Sequence, residues 1–222
     1  QPRTLIPSPK PISGECMTRP LQPLPRLPDP IPNPPGARRS EREIRELLAE
    51  RILVIDGAMG TMIHRIDPGP EDFGGEPYEG CNEAITLAAP DIIRGIHQGY
   101  LAAGADVIET NTFGATPIVL AEYGLAERAY DINVAAARVA RLAAHHASTP
   151  GRPRLVAGSI GPTTKTLSVT GGITFDALVA TYREQVRGLV DGGVDLLLIE
   201  TCLDTLNLKA AAVAARRYLA EA

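Results

Sequence analysis

Four short blocks of the sequence place polar side chains directly after apolar runs. They are Asp56-Gly57-Ala58-Met59-Gly60-Thr61, Glu109-Thr110-Asn111-Thr112-Phe113-Gly114, Ser159-Ile160-Gly161-Pro162-Thr163 and Glu200-Thr201-Cys202-Leu203-Asp204. Carboxylates that converge on one place can bind an ammonium group or act as acid and base. The glycines near Asp56 let backbone N–H groups approach a ligand carboxylate. Together these features suit an α-amino acid, although each carboxylate could instead cap the helix that follows it.

The elements that must position these blocks alternate along the chain. Apolar runs predict strands at 52–55, 107–110, 154–159 and 196–200. Capping residues and helical periodicity predict helices from the Ser40 capping box to about 50, and over 90–103, 117–122, 126–147, 174–190 and from 204 onward. Alternating strands and helices indicate βα units and a parallel sheet.

A short internal sequence repeat favours one arrangement of that sheet. Ala103-Gly104-Ala105-Asp106 precedes one predicted strand, and Gly192-Gly193-Val194-Asp195 precedes another two βα units later. Such a repeat is expected of a (β/α)8 barrel, whose active site lies where the four polar blocks would meet, although a doubly wound sheet remains open. A barrel needs eight strands and only four are predicted. Residues 41–222 are therefore expected to form the first half of a barrel.

The amino-acid composition argues against several classes of function. The chain carries 22 Lys and Arg against 26 Asp and Glu, a net charge of −4, which argues against nucleic-acid binding. No apolar run is long enough to cross a membrane, and no targeting segment is visible, so we expect a cytoplasmic protein. The three cysteines, at 16, 81 and 202, form no CxxC pair. Residues 1–40 hold most of the prolines and are predicted to be a disordered tail.

Four blocks, in order, carry a resemblance that covers roughly residues 45–222. They are Asp56 to Met62, Gly104 to Phe113, Gly161-Pro162-Thr163 with Thr166-Leu167-Ser168-Val169, and Ile199-Glu200-Thr201 with Asp204-Thr205-Leu206-Asn207. They resemble the homocysteine-binding module of cobalamin-dependent methionine synthases. More distantly, they are similar to single-module homocysteine methyltransferases, including the betaine-dependent enzyme.

The resemblance implies a TIM barrel of the homocysteine S-methyltransferase type that binds homocysteine and zinc. It implies that zinc keeps the homocysteine sulfur as a thiolate, which attacks the methyl group of methylcobalamin. Cobalamin and folate modules would lie downstream on the same polypeptide, with 5-methyltetrahydrofolate as the ultimate donor. The positions that match homocysteine-binding residues are Asp56, Gly57, Ala58, Thr110, Asn111, Thr112, Phe113 and Glu200. Of these, Asp56, Gly57 and Ala58 are expected to hold the amino-acid end and Glu200 the ammonium group.

One departure bears on catalysis. The zinc of the family is held by three cysteines in two blocks that this chain lacks, and the resemblance places both beyond Ala222. We therefore assign no metal ligand here, and we interpret Cys202 as a small apolar residue. We expect the half barrel alone to be unstable or to aggregate, and to be inactive. Three interpretations stay open: part of a cobalamin-dependent methionine synthase, part of a single-module homocysteine or selenocysteine methyltransferase, or a non-catalytic half barrel.

Overall fold

The computed structural model describes residues 39–165, 167 and 172–221. The helices are α1 (Glu41–Glu50), α2 (Met59–Ile66), α3 (Asn82–Ala88), α4 (Pro90–Ala103), α5 (Pro117–Leu120), α6 (Ala129–Ala147), α7 (Phe175–Gly192) and α8 (Thr205–Glu221). The strands are β1 (Val107–Glu109), β2 (Leu155–Ile160) and β3 (Leu196–Ile199). Short 3-10 turns lie at Pro70–Phe73, Glu76–Tyr78, Ala121–Tyr123 and Ala126–Arg128. The predicted tail lies outside the described residues, apart from residues 39 and 40.

The strands form one parallel sheet in the order β1-β2-β3. Val107 lies opposite Leu155, and Ala157 lies opposite Leu196. Sequential parallel neighbours joined by helices are the arrangement that the alternating pattern predicts. The described residues thus form an α/β fold with a three-stranded parallel sheet, and they do not form a closed barrel.

The prediction of a buried strand at 52–55 is wrong. This segment makes a single parallel bridge, from Ile55 to Val107, although the Asp56 N–H also donates to the Val107 carbonyl at 2.9 Å. Three of its side chains are exposed, Ile52 by 86%, Val54 by 54% and Ile55 by 42%, whereas Leu53 is half-buried. The segment lies at the sheet edge, and the described residues supply a neighbouring strand on one side only. An apolar run therefore extends along the sheet here without being buried.

Helices cover one face of the sheet. Ile108, Val156 and Ile160 pack in a buried cluster with residues of α7 that include Tyr182 and Leu189. The opposite face carries Val107, Leu155, Ala157, Leu196 and Leu198, which pack with Ile44 and Leu47 of α1 and with Leu53. Because successive strand residues point to opposite faces, this second face also carries Glu109, Ser159 and Glu200.

The aspartates of the internal sequence repeat, Asp106 and Asp195, have the same structural role. Asp106 accepts a hydrogen bond from the Val54 N–H at 3.0 Å, and Asp195 accepts one from the Val156 N–H at 2.8 Å. Each aspartate thus ties its own strand to the chain segment beside it. Arg51 donates to Asp106, and this bond holds the pKa of that carboxyl well below its usual range.

Most predicted helices are confirmed. Their first residues could be identified from the sequence because capping side chains lie at or next to them. Ser40 and Glu43 form the predicted capping box, and the Thr174 hydroxyl accepts from the Ala177 N–H at 3.2 Å. The predicted helix over 126–147 begins as a 3-10 turn and becomes α-helical at Ala129. Helices α2 and α3 were not predicted. None of the helices in the described part of the chain combines the length and the hydropathy that a membrane-spanning helix needs.

Candidate functional site

Three half-buried carboxylates meet at the carboxyl end of the sheet: Asp56, Glu109 and Glu200. An Asp56 side-chain oxygen accepts the Glu109 N–H at 2.9 Å, which joins the edge segment to the end of β1. The Ser159 hydroxyl donates to Glu200, which joins the end of β2 to the end of β3. Three strand ends and the edge segment therefore deliver their polar groups to one rim.

The crowding of these acids changes their acidity. Burial first, and then the charge of Glu200, raises the pKa of Asp56 to about 7, against the opposing effect of the Glu109 N–H. Burial together with the charges of Glu200 and Asp56 raises the pKa of Glu109 to about 8. A cation among these groups would relieve the repulsion and favour their ionised forms. The rim is therefore suited to an ammonium group.

Two predicted pocket residues, Thr110 and Thr112, are buried and bonded to each other and to β2. Their hydroxyls lie 2.6 Å apart, and the Thr112 hydroxyl donates to the Ser159 carbonyl at 2.7 Å. The Ser159 N–H donates to the Thr110 hydroxyl at 3.0 Å. The two threonines thus fix Ser159, which in turn orients Glu200.

The loop after β1 is also held from α3. The Asn111 side-chain amide donates to the Asn82 carbonyl at 2.8 Å, and the Gly114 N–H donates to Glu83 at 2.7 Å. Burial raises the pKa of Glu83. Phe113, between these anchors, stays 41% exposed. Of the predicted loop residues, Phe113 is the one whose side chain is left accessible to a ligand.

Gly57 and Ala58 join the edge segment to α2. Ala58 has a left-handed backbone, with φ of 46°, so that the chain turns directly into the helix. A Cβ added at Gly57 would meet no atom within 4 Å, which leaves open space beside Asp56.

Sequence reasoning located the rim, but it left the role of two residues undefined. The position of Glu109 at a strand end marked it as a third carboxylate, and its contact with Asp56 was not visible. Ser159 was part of a rim block without a role, because its partner Glu200 lies 41 residues along the chain.

The described residues do not fit a zinc site. They contain no group of three or more His, Cys, Asp or Glu that could hold a metal ion. Zinc binds thiolates, whereas burial raises the pKa of the Cys81 thiol to about 12. Burial also raises the pKa of Cys202, whose sulfur lies 3.3 Å from the Glu200 carbonyl oxygen. We therefore derive no step through zinc from these residues.

The fold and the site define an α/β protein with an acidic rim at the carboxyl ends of parallel strands. Residues 53–221 match the model of the homocysteine S-methyltransferase family, and the chain belongs to that family.

Solved structures of the homocysteine methyltransferase MmuM from Escherichia coli are similar to this chain. The oxidized form is 30% identical with a TM-score of 0.65, the metallated form 29% with 0.65, and the apo form 28% with 0.60. Each match covers 79% of this chain, and it covers 62%, 63% and 59% of the respective MmuM chains. The chain thus spans less than two thirds of the length of these relatives.

Proposed function

We propose that this chain is the homocysteine-binding part of a homocysteine S-methyltransferase, in which it forms the first half of a (β/α)8 barrel. Family membership and the similarity to MmuM support homocysteine as the methyl acceptor. The observation that carries the assignment is the acidic rim, where Asp56, Glu109 and Glu200 converge on a place suited to an ammonium group. Substrate and activity of the whole protein are part of this proposal.

Each rim residue receives a role in binding. Glu200, oriented by Ser159, binds the ammonium group, with Asp56 and Glu109 beside it. The backbone of Gly57 and Ala58 holds the ligand carboxylate next to the open space at Gly57. Thr110, Asn111 and Thr112 shape the loop, and Phe113 covers the ligand. Binding of this kind presents the sulfur in line with a methyl donor.

We further propose methylcobalamin on a downstream module as the methyl donor, remethylated from 5-methyltetrahydrofolate. The four sequence blocks support this finer assignment. Zinc, which the resemblance places on cysteines beyond Ala222, enters no step that we assign to the residues described here. The similarity to MmuM favours a second candidate, a single-module methyltransferase with another donor.

The size of the native protein separates the two candidates. An antibody against residues 45–222 would be used on a denaturing gel of the source cells. A band several times larger than 23.6 kDa supports a multi-module enzyme, and a band only moderately larger supports the single-module candidate. A band near 23.6 kDa contradicts both and favours a non-catalytic half barrel.

Calorimetric titration of the whole protein, rather than of the half barrel alone, with L-homocysteine tests the binding role. Glu200→Gln should weaken binding about 10- to 100-fold, because a hydrogen bond to a charged group is lost. The analogue 4-sulfanylbutanoate, which lacks the amino group, should bind both proteins equally and more weakly. Equal affinity of both proteins for homocysteine would contradict the proposal. Lys209→Ala, on the exposed side of α8, serves as the matched control.

A further inference from the structure

Two of the sequence blocks meet in a buried cluster that the proposed function has not used. Asn207 of α8 is 1% exposed, and its side-chain amide donates to the Thr163 hydroxyl and the Lys165 carbonyl, both at 3.1 Å. Thr163 and Lys165 belong to the loop that leaves the carboxyl end of β2. The block that begins α8 is therefore bonded to the block that follows β2.

Tyr182 of α7 also belongs to this cluster. Its side chain is fully buried, and its hydroxyl lies within hydrogen-bond distance of both the Asn207 side-chain oxygen and the Gly161 carbonyl, the latter at 3.1 Å. Asp204 accepts the Leu167 N–H at 3.1 Å. Gly161 and Leu167 of the loop are thus held by Tyr182 of α7 and by Asp204, the residue before α8.

The same loop is in direct contact with the pocket residue Phe113. The Gly161 N–H donates to the Phe113 carbonyl at 3.0 Å. A Cβ at residue 161 would lie 2.7 Å from that carbonyl oxygen, so the two loops approach as closely as a glycine permits. A shift of the loop after β2 would therefore move Phe113.

We propose that Asn207 is a positioning residue for the homocysteine site. It acts through Thr163, Lys165 and Tyr182 to fix the loop after β2, and through that loop it fixes Phe113. The inference rests on the proposed function. The hydrogen bonds of the Asn207 side chain run to this loop and to Tyr182, which anchors it. A buried amide with all its groups bonded specifies one loop geometry.

Amide hydrogen exchange followed by mass spectrometry tests the proposal in the whole protein, compared as wild type, Asn207→Asp and the control Lys209→Ala. The aspartate keeps the shape of the side chain but loses both donated bonds. Exchange in the peptide over 161–167 should accelerate about tenfold, the cost of one net hydrogen bond, while α6, which makes no contact with Asn207 that this proposal uses, stays unchanged. At one homocysteine concentration, the ligand should slow this peptide less in Asn207→Asp than in wild type and in Lys209→Ala, because the affinity of Asn207→Asp should fall about tenfold.

Several outcomes separate this proposal from the proposed function. Unchanged exchange over 161–167 in Asn207→Asp, or acceleration equal to that of α6, would overturn the positioning role. Failure of wild type to bind homocysteine would overturn the proposed function, and the exchange comparison would still decide whether Asn207 fixes the loop. Should Asn207→Asp not fold, Thr163→Val removes one accepting group. It must then accelerate the same peptide, and an unchanged rate overturns the proposal.

Discussion

At the residue scale, the acidic rim should make stability depend on pH. Burial and neighbouring charge raise the pKa of Glu109 from its ordinary 4.5 to about 8. Between these pH values the native protein binds more protons than the unfolded chain, so the free energy of unfolding falls as pH rises. Glu109→Gln should therefore gain stability relative to wild type as pH rises from 5 to 8, as measured by urea denaturation at both pH values. The exposed Glu79→Gln is the control, and an equal pH dependence in both variants would contradict this prediction.

His97 should have the opposite effect. It is fully buried in α4, neither ring nitrogen has a hydrogen-bond partner among the described residues, and burial lowers its pKa from 6.5 to about 4. The unfolded chain therefore binds the proton first, and stability present above pH 6.5 is lost as pH falls toward 4. His97→Leu should reduce that loss in urea denaturation at pH 7 and 4.5, whereas the exposed His64→Leu should not. An acid sensitivity unchanged by His97→Leu would show that this histidine does not carry it.

At the scale of elements, α6 and α7 approach closely through small residues. A Cβ at Gly192 would lie 2.5 Å from the Ala137 Cβ, and one at Gly188 would lie 2.7 Å from the Asn133 Cβ. Gly192→Ala should destabilise the protein by about 1–3 kcal/mol, because the helices must separate. Gly99→Ala in α4, where a Cβ meets nothing within 4 Å, should instead stabilise it by about 0.5–1 kcal/mol. Chemical denaturation measures both, and a neutral Gly192→Ala would contradict the packing argument.

An element can be predicted from the sequence when the residues that determine it lie within or next to it. The helices that begin at the Ser40 and Thr174 caps were predicted correctly, because their caps lie within a few residues of them. The edge segment at 52–55 was not, because burial of a strand depends on neighbours that no local pattern reveals. In the same way, the strand ends located the acidic rim, whereas the bond from Ser159 to Glu200 joins distant parts of the chain.

At the scale of the whole molecule, apolar side chains beside the two outer strands of the described sheet are exposed to solvent. Ile52 is 86% exposed beside β1, and Leu203 is 98% exposed after β3. Exposed sheet edges with apolar side chains promote association. In sedimentation equilibrium, the average mass should rise above 23.6 kDa with concentration, and Ile52→Lys should reduce this rise. Ala102→Lys, on the exposed surface of α4, should not. A wild-type chain that stays monomeric across the series would contradict this expectation.

On the function proposed above, the acidic rim holds the amino-acid end of homocysteine. A crystal structure of the whole protein with L-homocysteine bound would show whether it does. We expect the ammonium nitrogen within hydrogen-bond distance of Glu200, the carboxylate at the backbone of Gly57 and Ala58, and the ligand side chain beside Phe113. A ligand bound away from the rim, or one with its ammonium group turned from Glu200 toward solvent, would contradict it.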